Sequence, residues 1–152
     1  FSDNITTAEL GVEADIFRES KEPPGCLLLA REVDDPERFG VAILDENGSV
    51  IDIIEKPVDP PSNVAIGGIY IYDERFWDTF DLTVKEKGER FSISDVNRWY
   101  ISQGCAKVRN LEGETWVDCG TPDALLEASI MAKDGLLSLE PNNFQTDDSG
   151  LD

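Results

Sequence analysis

Glu55-Lys56-Pro57 places an acid, a base and a strand-stopping proline in succession. A carboxylate can accept hydrogen bonds from hydroxyls, and an ammonium can neutralise a phosphate. Successive side chains on a strand point to opposite faces. Glu55 and Lys56 therefore reach one ligand together only if the strand bends between them. Spacing alone favours a plainer reading, a solvated acid–base pair at a strand end. The sequence has no histidine, which removes the usual general base and the commonest transition-metal ligand. Chemistry here must use carboxylates, lysine, arginine, backbone groups and hard cations. Cys26, Cys105 and Cys119 are an odd number with no CxxC spacing. They predict neither a disulfide framework nor a zinc site.

The acid and base are delivered by the stretch Phe39 to Pro57, which reads as a β-hairpin. Val41, Ile43, Val50, Ile51, Ile53 and Ile54 are β-branched, and Asp45-Glu46-Asn47-Gly48 supplies the turn. Asn-Gly is a strong hairpin signal because both residues tolerate positive φ. Pro57 cannot donate to a ladder and ends the strand. With Pro60 and Pro61 it makes a stiff extended loop.

The other elements follow from composition and period. Residues 11–22 suit a short surface helix. Cys26 to Glu32 is a continuous apolar run that suits a buried central strand. Residues 34–38 read as a loop or one helical turn. Val64 to Tyr72 is a strand in which Gly67-Gly68 suggests a bulge or a close backbone approach. Asp73 can cap a helix through Phe80, and residues 81–90 read as a charged loop. Ser94-Asp95 opens a helix that Gly104 stops. Ala106 to Leu111 and Thr115 to Asp118 are strands. Thr121 caps a last helix from Pro122 to about Lys133, with proline at its first position. The whole predicts an α/β layer fold with a mixed sheet and flanking helices. No repeat or internal domain boundary is visible. Residues 135–152 are expected to be an acidic, flexible tail.

The chain has 152 residues and a net charge of −19. Such a charge repels polyanions and argues against nucleic acid or an anionic membrane surface as partner. No apolar run approaches the roughly 20 residues of a membrane helix, and no signal peptide is visible. A soluble, cytoplasmic protein is expected. Acids are spread from end to end and lysine is scarce, which suits a surface adapted to high salt.

Five segments, in this order, resemble the sugar nucleotidyltransferases, most of all the glucose-1-phosphate thymidylyltransferases. They are Ser2-Asp3-Asn4-Ile5, Pro36 to Pro57, Ser62 to Tyr70, Ile93-Ser94-Asp95-Val96-Asn97, and Trp116-Val117-Asp118-Cys119-Gly120-Thr121. The resemblance covers about residues 1–133 and implies a partial Rossmann-like nucleotidyltransferase fold. It implies an enzyme that joins a nucleoside triphosphate, dTTP or UTP, to a sugar 1-phosphate such as glucose 1-phosphate, with release of pyrophosphate. Matched by position, Asp3 and Asp118 would hold Mg²⁺, an ion suited to carboxylate oxygens. Lys56 would bind the sugar phosphate and Glu55 the sugar hydroxyls. Gly40, Asn63, Val64 and Gly68 would shape the sugar pocket. Trp116 would line its wall, though a core tryptophan fits nearly as well. Lys56 and Asp118 would be the catalytic pair. Cys119, where threonine is common, reads as packing. The resemblance leaves room for a homo-oligomer.

Two departures stand out. The family's Gly-Glu-Leu-Glu-Ile-Thr-Asp becomes Glu89-Arg90-Phe91-Ser92-Ile93-Ser94-Asp95, so acidic positions become Arg90 and Ser92. The family's glycine-rich loop, whose arginine and lysine cradle the triphosphate, has no counterpart in this sequence. The expectation is therefore a sugar-phosphate-binding part over residues 1–134, corresponding to the C-terminal half of the enzyme domain. A non-catalytic module that binds a sugar phosphate or a partner chain is the competing reading.

Overall fold

Strand β2 (Cys26–Glu32) is the centre around which the rest is layered. The computed structural model describes residues 3–20 and 24–137. Five strands form one sheet in the order β4-β3-β5-β2-β6, with β3 at Gly40–Leu44, β4 at Val50–Glu55, β5 at Val64–Tyr72 and β6 at Ala106–Asn110. β2 runs antiparallel to β5 and parallel to β6, so the sheet is mixed as expected. Cys26, Leu28 and Ala30 face one core, shared with Ile53, Val96 and Tyr100. Leu27 and Leu29 face a second, shared with Ala8, Leu111 and Trp116. Both faces are covered, which is why the strand is apolar at every step rather than at every second one. Leu28 and Leu29 are completely buried; truncating either to alanine removes about 2–5 kcal/mol.

A second, two-stranded sheet pairs β1 (Asn4–Thr6) with β7 (Trp116–Asp118). Its register sets Asn4 opposite Asp118 and Thr6 opposite Trp116. Among the described residues four α-helices flank the sheets: α1 Leu10–Glu19, α2 Phe76–Lys87, α3 Ile93–Ser102 and α4 Pro122–Lys133. α4 begins where its residues require: the Thr121 hydroxyl accepts from the Ala124 N–H at 3.2 Å, and Pro122 has no N–H to satisfy. None of the described helices is long and apolar enough to cross a membrane.

Several expectations need correction. The charged loop over 81–90 is mostly helix, because α2 runs on to Lys87. Its inward positions include Thr79 and Thr83, which are buried, and the Thr83 hydroxyl donates to the Thr79 carbonyl at 2.9 Å. Polar residues on the buried face hide the apolar period. α3 starts earlier than Ser94, since the Asp95 carboxylate accepts from the Ser92 N–H at 2.9 Å and makes Ser92 the cap. α1 ends at Glu19, short of the expected boundary. The expected flexible tail lies, from residue 138 onward, outside the described residues.

Candidate functional site

The hairpin turn fixes which residues stand together at its far end. The Asp45 carboxylate accepts from the Asn47 and Ser49 N–H groups, both at 2.8 Å, and Gly48 takes φ +80°. These bonds hold the Asp45 carboxyl below its ordinary range. The resulting register sets Gly40 opposite Glu55. Lys56 then turns, with φ +44°, the only positive φ at a non-glycine residue among those described. Its N–H donates to the Phe39 carbonyl at 2.9 Å. This is the bend that lets Glu55 and Lys56 line one cleft.

That cleft, about 210 Å³, lies where the two sheets meet. Strand β4 and its end bring Glu55 and Lys56. The β1–β7 ladder brings Asp3, Trp116 and Asp118, and β5 brings Gly67 and Gly68. The pairing of β2 with β5 slips between Leu28 and Ala30, and Gly68 takes φ +67° in the bulge. A Cβ on Gly68 would stand 3.1 Å from Asn4 Nδ2, and one on Gly67 would stand 3.3 Å from Trp116. The glycines are what allow β5 to touch the ladder. Trp116 both lines this cleft and packs into the second core. It is buried, tilts against Phe39 at 5.3 Å between ring centroids, and donates from Nε1 to Asn4 Oδ1 at 2.7 Å.

Asp3 and Asp118 meet at Gly120. A Cβ there would lie 3.2 Å from Asp118 Oδ1 and 3.7 Å from Asp3 Oδ2. The two oxygens are therefore no further apart than those distances laid end to end. The Cys119 N–H donates to the Asp3 carbonyl and the Gly120 N–H to Asp118 Oδ1 at 3.2 Å, which fix the geometry. Burial, with the charges of Asp118 and Asp3 added, pushes the Cys119 thiol up. It stays a neutral thiol at neutral pH. Among the described residues no cluster of three or more metal-ligating side chains exists. Two hard oxygens beside a glycine leave most of a cation's coordination to water or substrate, which suits Mg²⁺ rather than a caged ion.

The expected residues Asp3, Gly40, Glu55, Lys56, Gly68, Trp116 and Asp118 are thus brought together. Asn63 lies apart, in a larger adjoining cleft of about 950 Å³ that shares Arg38, Phe39, Trp116 and Asp118. Val64 lines neither cleft. It is buried in the first core and donates its N–H to Ser62 Oγ at 3.2 Å, because the first residues of β5 turn into the sheet.

Sequence reasoning gave no site role to Asn4, Arg38 or Ser94, which also line the smaller cleft. Each sits inside a segment that carried the resemblance, and that was the available signal. Arg38 is held by Asp35 at 2.6 Å and lies over the Phe39 ring at 5.4 Å. The Asp35 hydrogen bond, then the charges of Asp35 and Asp118, push its guanidinium up. Burial and the Glu55 charge keep the Tyr70 phenol protonated.

The nucleotidyl transferase family model matches residues 1–135. The chain belongs to that family. A glucose-1-phosphate thymidylyltransferase of Xanthomonas campestris pv. campestris (strain B100) is 39% identical over 121 residues, covering 78% of this chain and 41% of the relative. The low-salt glycan biosynthesis nucleotidyltransferase Agl11 of Haloferax volcanii is 31% identical over 129 residues, covering 84% of this chain and 36% of the relative. A crystal structure of a candidate glucose-1-phosphate thymidylyltransferase from Bacillus anthracis, in complex with a sucrose, superposes with a TM-score of 0.77. The two are 35% identical, and the match covers 87% of this chain and 52% of that one. The chain thus spans about two fifths of the length of these curated relatives. The mixed sheet flanked by helices is a Rossmann-like nucleotidyltransferase fold.

Proposed function

We propose that this chain carries the sugar-phosphate side of a nucleotidyltransferase. The reaction is attack of a sugar 1-phosphate oxygen on the α-phosphorus of a nucleoside triphosphate, dTTP or UTP, with pyrophosphate leaving. Glucose 1-phosphate is the sugar substrate on this reading. The observation that carries it is the convergence of Asp3 and Asp118 at Gly120, in the same cleft as Glu55 and Lys56.

The charges support it. Asp3, Glu55 and Asp118 oppose Arg38 and Lys56, so the cleft is net negative by itself. A sugar phosphate enters only with added positive charge. Mg²⁺ held by Asp3 and Asp118 would supply it and bridge to phosphate oxygens. Lys56 would place its ammonium on the sugar phosphate, and Glu55 would accept from sugar hydroxyls. Phosphoryl transfer asks little covalent work of the protein and much positioning and neutralisation, which suits a chain without histidine. Residues 1–134 form the sugar-phosphate part on this reading. The triphosphate-cradling loop, which these 152 residues do not carry, lies outside them on this reading.

Calorimetric titration of the 152-residue chain tests the reading. α-D-Glucose 1-phosphate should bind in a Mg²⁺-dependent manner, dTTP and UTP should bind much more weakly, and mixing all three should release no pyrophosphate. Triphosphate binding without sugar-phosphate binding, or turnover by the chain alone, would overturn it.

A further inference from the structure

The geometry points to Ser94 as the positioning residue of the sugar cleft, fixing one carboxylate oxygen of Glu55 so that only the other is offered to a bound sugar. This rests on the reading of the cleft as a sugar-phosphate site. The Ser94 hydroxyl donates to Glu55 Oε2 at 2.7 Å. Ser94 is buried whereas Glu55 is exposed, so the bond ties a mobile acid to a fixed point. Ser94 is fixed because it lies in the first turn of α3, whose start is closed by Asp95 on the Ser92 N–H at 2.9 Å.

Gly40 completes the device. A Cβ there would stand 3.2 Å from Glu55 Oε2 and 3.5 Å from Ser94 Oγ. The strand therefore leaves room for this bond and for little else. An unfixed Glu55 would lose side-chain freedom on each binding event, a cost that opposes binding. Ser94 meets that cost during folding. With Oε2 occupied, Glu55 presents Oε1 as an acceptor. It selects a hydroxyl donor at that end of the ligand and repels a second carboxylate or phosphate there. Phosphate recognition does not pass through this bond, so it should not depend on Ser94.

The test is a comparison of wild type, Ser94→Ala and Ser94→Thr as full chains with Mg²⁺. Calorimetry measures α-D-glucose 1-phosphate and inorganic phosphate separately, and a thermal midpoint checks folding. Ser94→Ala should weaken glucose 1-phosphate roughly three- to tenfold, with inorganic phosphate affinity unchanged. Ser94→Thr, which keeps the hydroxyl, should restore it. Ser94→Ala binding the sugar phosphate as wild type does, or losing both ligands equally, would overturn the positioning role. Wild type binding glucose 1-phosphate no tighter than inorganic phosphate would instead overturn the reading of the cleft, and this inference with it.

Discussion

Lys56 joins a backbone cost to the charge proposed to meet the sugar phosphate, and two substitutions separate them. Its φ of +44° lies in the left-handed region. For a residue with a Cβ that conformation costs about 1–3 kcal/mol. Glycine removes the cost but loses more unfolded-state entropy, an opposing effect of about 0.4–1 kcal/mol. Lys56→Gly should therefore be more stable than Lys56→Ala by about 1 kcal/mol, a rise of roughly 2–4 °C in thermal midpoint for a domain of this size. Both substitutions remove the ammonium. A hydrogen bond to a charged group contributes about 1.5–3 kcal/mol, so both should weaken α-D-glucose 1-phosphate by roughly 10- to 150-fold. The assay is a pair of melts beside a pair of titrations. An alanine variant as stable as the glycine variant would show that the bend at Lys56 stores no strain. Unchanged sugar-phosphate affinity in both would show that the ammonium touches no phosphate.

Gly120→Ala would press a methyl against Asp118 Oδ1 at 3.2 Å; Mn²⁺ affinity read by electron spin resonance should fall several-fold while the melt barely moves, and an unchanged affinity would place the cation elsewhere. Asp45 has its folded pKa lowered by the Ser49 and Asn47 N–H groups, so its contribution to stability is present above the ordinary value of 3.8 and is lost as pH falls through the lower folded value. The gap in thermal midpoint between wild type and Asp45→Ala should therefore close only below that pH; a gap constant down to strong acid would refute it. A net charge of −19 predicts a thermal midpoint that climbs steadily toward molar potassium chloride, as the Debye length shrinks from about 10 Å to about 3 Å. A salt-insensitive melt would leave the charge without this explanation.

What could be read in advance follows the range of the interactions. The hairpin turn at Asn47-Gly48 and the α4 start at Thr121-Pro122 rest on contacts within a few residues, and both stand where their chemistry puts them. The bulge at Gly67-Gly68 was legible for the same reason. The last turns of α2 escape the pattern because buried Thr83 is polar and charged residues surround it, and no local signal shows that tertiary packing will cover that face. The site divides in the same way. Glu55 and Lys56 could be paired from adjacency, but the bend that makes the pair useful is a φ value, not a composition. Asp3 and Asp118 came only through resemblance, since nothing in either neighbourhood announces the other. Ser94 escaped because its partner Glu55 lies 39 residues away. Val64 was drawn into the pocket by its motif, although its side chain belongs to the core.

The β1–β7 ladder also fixes an order of events in folding. The bond from Trp116 to Asn4 closes a loop of 112 residues. By loop-closure entropy alone that costs on the order of 4 kcal/mol. A ladder of three residue pairs cannot offset this unaided, because two-stranded sheets are marginal in water. It must wait until the five-stranded sheet has already drawn the two segments near. The carboxylates of Asp3 and Asp118 would therefore come together late in folding, and the cation site proposed there would be absent from a partly folded chain. The reverse also holds. Detaching β1 would separate Asp3 from Asp118, and with them the proposed cation site, while the larger sheet stayed intact, a local opening well below global unfolding. Divalent-ion binding at the proposed site would thus report that the final strand has docked, and saturating ion would slow amide exchange at Asn4–Thr6 before any other part of the sheet responds.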